Sequence, residues 1–140
     1  MESDVQQTTH IEEPPDGTTE ADGLARKFQK ELNAGLVALV LLAILDRAEE
    51  DLYGYQIAKR LQQHGGAASL AKQGALYPVL RTLSAAGLLA SRVVPSYSGP
   101  PRRYYRITPA GRSTLGQWRD IWRQTRDLVD EFTHSGGTQP

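Results

Sequence analysis

The chain's 140 residues, 39% of them hydrophobic, suffice for one domain with a modest core. It contains no cysteine, which excludes a disulfide framework, a thiolate nucleophile and a thiolate metal site, and fits a reducing cytosol. The net charge of zero conceals a segregation: residues 1–23 carry Glu2, Asp4, Glu12, Glu13, Asp16, Glu20 and Asp22 and no lysine or arginine, whereas Leu52–Arg119 carries no acidic residue at all.

In chain order, residues 1–22 are acidic, polar and interrupted by Pro14, Pro15 and Gly17. They cannot bury enough apolar surface to offset chain entropy, so a disordered tail is expected there. Leu24, Phe28, Leu32, Leu36 and Leu39 then follow helical spacing, which predicts a first helix over Leu24–Arg47 whose later part is apolar all round. Its apolar run, Leu36–Leu45, is shorter than the roughly 20 residues a bilayer span needs. The N-terminus shows no secretory pattern. The expectation is a cytoplasmic protein with no membrane partner.

A second helix is predicted over Tyr53–His64, with Ile57 and Leu61 on one face and Gly65-Gly66 as its stop. A third starts near Gly74, because Pro78 is tolerated only close to a first turn, and ends before Gly87. Leu76, Val79, Leu80 and Leu83 form its inner stripe; Lys72, Gln73, Tyr77 and Arg81 form its polar set. The period then changes. Leu88–Val94 reads as a strand, Pro95–Pro101 as a turn-rich connector, and Arg102–Ile107 as an alternating strand with Arg102, Tyr104 and Arg106 on one face and Arg103, Tyr105 and Ile107 on the other. Thr108 is the N-cap and Pro109 the first residue of a fourth helix reaching about Phe132. The fold class that follows is mostly α with a small β-hairpin: a winged helix-turn-helix over residues 23–108, a long C-terminal dimerisation helix over 109–133 and a disordered tail over 134–140. The third helix is the natural major-groove reader and the hairpin the wing.

Three blocks carry a family likeness. LYGYQIAKRL (Leu52–Leu61), GALYPVLRTLSAAGLL (Gly74–Leu89) and GPPRRYYRITPAGR (Gly99–Arg112) resemble the signature blocks of the PadR family of transcriptional regulators, over about Leu32–Phe132. The resemblance implies a homodimer held by its last helix and repression of nearby genes relieved by a small ligand. Ala75 stands where family members often have a small hydroxylated residue, and Lys72 where a Ser or Asn cap is common.

On this reading the partner is double-stranded DNA. Arg102 and Arg103 are the expected phosphate clamps, since a guanidinium fork matches phosphate oxygens and stays charged. Lys72, Gln73, Tyr77 and Arg81 face the bases and backbone, because Gln reads adenine and Arg reads guanine or phosphate. Lys59 and Arg60 are placed to reach flanking phosphates. Tyr105 is expected beneath the wing, and Tyr53 and Tyr55 are read as packing residues. Leu115, Trp118, Trp122, Thr125, Val129 and Phe132 are spaced three and four apart, an a/d seam suited to a second copy of the chain. In multidrug-responsive members a tryptophan at the place of Trp122 stacks with planar drugs, so Trp118 and Trp122 are candidate contacts for a planar aromatic inducer. No cofactor or metal is expected. His10, His64 and His134 lack metal spacing, and no phosphate loop, paired carboxylates or nucleophile constellation points to an enzyme. The alternative is a winged-helix protein–protein adaptor without DNA binding.

Overall fold

A computed structural model of the protein describes residues 20–64 and 73–134. The expected tails fall mainly on residues 1–19 and 135–140, which lie outside them, as does Lys72. The elements run α1 (Glu20–Arg47), β1 (Leu52–Tyr53), α2 (Gly54–Gln62), α3 (Gln73–Ala85), β2 (Leu89–Val94), β3 (Arg102–Ile107) and α4 (Pro109–Thr133). The fold is mostly helical with a small antiparallel sheet, as expected.

Helix α1 begins at Glu20 rather than Leu24, so Glu20 and Asp22 belong to its first turn and not to the tail. Carboxylates there favour the positive end of the helix dipole. At 28 residues, with a mean hydropathy of 1.6 over its most apolar window, α1 is by length and composition able to cross a membrane, which the ten-residue run alone did not suggest. Its C-terminal part is nevertheless committed to the protein core: Leu41, Leu42 and Leu45 pack with Leu52, Ile57, Leu76, Leu80 and Leu89. The N-terminal half leaves Leu24, Phe28 and Leu32 exposed.

The expected hairpin is present as β2 and β3, and a third strand joins it. The sheet order is β1-β3-β2, with Leu52 opposite Tyr105 and Tyr53 opposite Tyr104 on one side of β3, and Ser91 opposite Tyr105 on the other. The added strand is only two residues long, yet it satisfies the edge of β3 and fixes the start of α2 against the wing. Alternation along β3 holds as read: Tyr105 and Ile107 are buried, while Arg102 and Arg106 are exposed.

Helix α3 starts at Gln73, so Pro78 sits inside it, in its second turn. The ring removes one amide donor, and the carbonyl left without it belongs to exposed Gly74. Helix α4 begins as the sequence indicates. Thr108 Oγ1 accepts from the Gly111 amide at 2.9 Å, and Pro109 occupies the first helical position. The same hydroxyl donates to the Gly87 carbonyl at 2.7 Å, and the Thr108 amide donates to the Leu88 carbonyl at 3.1 Å. Gly87, at φ 81°, supplies the left-handed turn that brings this strand into reach. One residue therefore locks α3, β2, β3 and α4 together.

Candidate nucleic-acid interface

Tyr77 and Arg81 are one helical turn apart on α3, beside the buried stripe of Leu76, Leu80 and Leu83; Tyr77 is half-buried against the core and Arg81 is exposed. Across from them stands the wing, whose tip, Pro95–Pro101, joins β2 to β3. Between the two lies a groove of about 590 Å³, walled by Tyr77 and Arg81 on one side, by Ser96, Ser98 and Gly99–Arg103 on the other, and by Tyr53, Gly54 and Tyr55 at its end, with Tyr105 at its base. No acidic side chain lines it. The structure thus brings together four of the expected DNA contacts: Tyr77, Arg81, Arg102 and Arg103. Gln73 opens the same helix.

The two wing arginines are held differently, as strand alternation requires. Arg103 Nη1 donates to Ser91 Oγ at 3.2 Å. The Arg102 guanidinium lies 4.5 Å above the Tyr53 ring. Tyr53 in turn meets the edge of Tyr104 at 5.2 Å, and Arg92 covers Tyr104 at 5.1 Å while pairing with Asp51 at 2.9 Å. This run of rings and guanidiniums braces the outer face of the sheet. Burial pushes the Tyr105 phenol above its usual pKa; the charges of Arg103 and Arg81 pull the other way, and Tyr77 adds a smaller upward push. The base of the groove therefore presents a neutral hydroxyl ringed by cations.

Gly54, which lies inside the Leu52–Leu61 block, makes this arrangement possible. A Cβ there would collide with the Tyr77 ring, reaching its hydroxyl at 2.8 Å. The bare backbone lets the ring lie across the start of α2, where it lines the groove. Tyr53 and Tyr55 depart only in part from expectation. Both line the groove; Tyr55 is 52% exposed, whereas Tyr53 also packs on Tyr104 as expected.

Lys59 and Arg60 are not part of this surface. They are exposed on α2 and rim a second groove of about 1080 Å³ between α1, α2 and α4, with an aliphatic floor that includes Leu39, Val40 and Ile44. Helix geometry explains the separation: the face of α2 that carries them turns toward α1, away from the wing. Trp122 lines this groove and, with Trp118, a third of about 450 Å³ between α1 and α4 that includes Leu32, Leu36 and Ile121. Leu115 is only 2% exposed and belongs to the protomer's own core, so the expected seam loses its first member. A side chain already buried at the root of α4 has no area to offer a partner. Val129 and Phe132 are exposed, joined by Ile121 and Leu128, which a strict a/d reading passed over.

The likeness to known proteins agrees with this geometry. The model of the transcriptional regulator PadR-like family matches residues 41–117. The chain is 37% identical to the transcriptional regulator Rv3488 of Mycobacterium tuberculosis, over 80% of this chain and 96% of that protein. Among solved structures it resembles a PadR family transcriptional regulator from Eggerthella lenta, with a TM-score of 0.70 at 31% identity, covering 83% of this chain and 97% of the other. It also resembles a transcriptional regulator from Clostridium thermocellum, with a TM-score of 0.65 at 28% identity, covering 74% and 98%.

Proposed function

The chain belongs to the PadR-like family of transcriptional regulators, and on that premise we propose that it is a cytoplasmic homodimeric repressor that grips duplex DNA and releases it when a small ligand binds. The observation that carries the DNA reading is the convergence of Arg81, Arg102 and Arg103 on one acid-free groove between α3 and the wing. A duplex offers a charge every ~1.7 Å of axis, and guanidiniums with no acid lining their groove are suited to it. With α3 in the major groove, Gln73, Tyr77 and Arg81 address base edges and backbone, while Arg102 and Arg103 clamp the adjacent phosphates.

The dimer reading rests on exposed apolar side chains. Phe28 is 64% and Phe132 78% exposed, and Leu24, Leu32, Ile121, Leu128 and Val129 extend the two stripes along α1 and α4. A protomer with such stripes gains by covering them with those of a second copy. A two-fold axis then sets two α3 helices about one duplex turn apart, which calls for an inverted-repeat operator.

Footprinting on DNA upstream of the protein's own gene, together with sedimentation, tests this reading. Expected are a protected inverted repeat, a binding constant that falls steeply between 50 and 200 mM salt, and a dimer that L128E converts to monomer. Weak, salt-insensitive binding would instead leave the chain an adaptor.

The ligand reading places a planar aromatic molecule against Trp118 and Trp122, whose groove has an apolar wall from Leu32 and Leu36. Titrating flat aromatic dyes should quench tryptophan fluorescence and lower operator affinity together. Quenching that saturates while affinity stays constant would remove the inducer role.

A further inference from the structure

The charge segregation visible in the sequence has a counterpart in the fold. Arg81, Arg102 and Arg103 form no ion pair among the described residues, Asp46 and Asp51 being engaged by Arg112 and Arg92, and no acidic side chain lines their groove. The groove therefore has no internal counter-charge. The chain nonetheless carries one. Residues 1–19 hold Glu2, Asp4, Glu12, Glu13 and Asp16 with no lysine or arginine, and they join the described chain at the head of α1.

We propose that the acidic segment of residues 1–19 docks in the cationic groove between α3 and the wing when no duplex is bound, so that DNA must displace it. This rests on the groove being the DNA grip. Charge complementarity selects the occupant: five carboxylates stand in for a short row of phosphates. Reach permits it. Glu20 lies 17 residues before Val37, where α1 enters the core, a separation of about 26 Å at 1.5 Å per residue. Nineteen residues extend to at most ~65 Å, enough to return to the groove of the same protomer or of a partner. Polarity selects this groove over the larger one between α1, α2 and α4. That groove also carries Arg47, Lys59, Arg60 and Arg119, but they rim an aliphatic floor of Leu39, Val40 and Ile44, which a segment whose only large apolar side chains are Met1, Val5 and Ile11 cannot cover.

The contact is weak by construction. Exposed carboxylate–guanidinium pairs each contribute little, and only the tether, with an effective concentration near millimolar, keeps the groove filled. A segment that occupies the groove about nine-tenths of the time lowers every DNA affinity about tenfold. Operator binding, ~10³–10⁷ tighter than binding to random sequence, survives that loss, while scattered binding along other DNA does not. The segment thereby sharpens which DNA is occupied without touching a base.

The test uses the full-length chain with E2Q, D4N, E12Q, E13Q and D16N combined, which leaves the described residues intact. At low salt the variant is expected to bind random-sequence duplex about tenfold more tightly than the wild type, and the two should converge as salt rises. A second readout needs no DNA: the side-chain NMR signals of Arg81, Arg102 and Arg103 in the free protein should shift between wild type and variant, with those of Arg60 and Arg119 unchanged. Equal affinities with unshifted arginine signals overturn the proposal, as does a shift confined to Arg60 and Arg119. If neither form binds duplex, the DNA reading fails, and the NMR comparison alone decides whether the segment docks.

Discussion

Replacing Arg81 and Arg103 together with alanine is expected to lower operator affinity by about a hundredfold or more and to reduce the slope of log affinity against log salt by about two. Both effects follow from the two side chains' positions. They face each other across the groove, on α3 and on β3, close enough that both charges act on the Tyr105 phenol. Each is expected to make a charge-assisted contact, and losing a charged hydrogen bond costs about 1.5–3 kcal/mol. Two of them set the hundredfold scale. The salt slope is the sharper reading, because it counts phosphates neutralised rather than energy lost.

The same pair is a clean substitution for the fold. Arg81 and Arg103 are exposed, and Arg103 donates to the exposed hydroxyl of Ser91. Stability should therefore change by no more than about 0.5 kcal/mol, which separates loss of grip from loss of structure. K59A/R60A provides the contrast. Those side chains rim the groove between α1, α2 and α4, not the one beside the wing, so a much smaller loss of affinity is expected. Should K59A/R60A prove the more damaging pair, the duplex lies on the other face of α2 and the proposed interface is wrong.

How much of this was legible in the sequence varied with the physical signal each feature leaves. The wing strand announced itself by period-two alternation, and the start of α4 by the Thr108-Pro109 pair; both stand where those signals put them. Strand β1 left no signal, because two residues cannot display a period. Only the register of Leu52 with Tyr105 reveals it. The first turn of α1 was hidden for another reason: Glu20 and Asp22 share the acidic composition of the segment before them, and composition does not mark where a helix begins. The arginines of the interface could be named from their clustering, but not sorted. Lys59 and Arg60 carry the same charge as Arg81, and which groove a cation faces depends on how α2 docks. Gly54 was invisible in principle. Its importance lies in the Tyr77 ring that crosses it, a contact between residues on different helices.

Replacing Gly111 with alanine is expected to destabilise the protein by about 3 kcal/mol or more, lowering its midpoint by roughly 10–20 °C, although glycine-to-alanine in a helix interior ordinarily stabilises by about 1 kcal/mol. The reversal of sign comes from what surrounds the position. Gly111 is buried in the first turn of α4. A Cβ there would collide with the Leu88 carbonyl oxygen and approach Ile107 Cγ1 to 2.7 Å. The first obstacle is backbone, so no rotamer change relieves it. Either α4 backs away or the turn at Gly87–Leu88 moves, and both break the bonds through which Thr108 caps α4 and ties it to the Gly87 and Leu88 carbonyls. Gly116, five residues on in the same helix, is the matched control. It is exposed, and a Cβ there meets nothing within 4 Å, so G116A should raise stability by about 0.5–1 kcal/mol. Thermal unfolding of both variants at one fixed protein concentration decides the matter. Opposite signs place the rigid joint between the wing and the last helix at Gly111. A stabilised G111A would mean that α4 sits further from Leu88 than the structure has it, and that the wing is not braced by that helix.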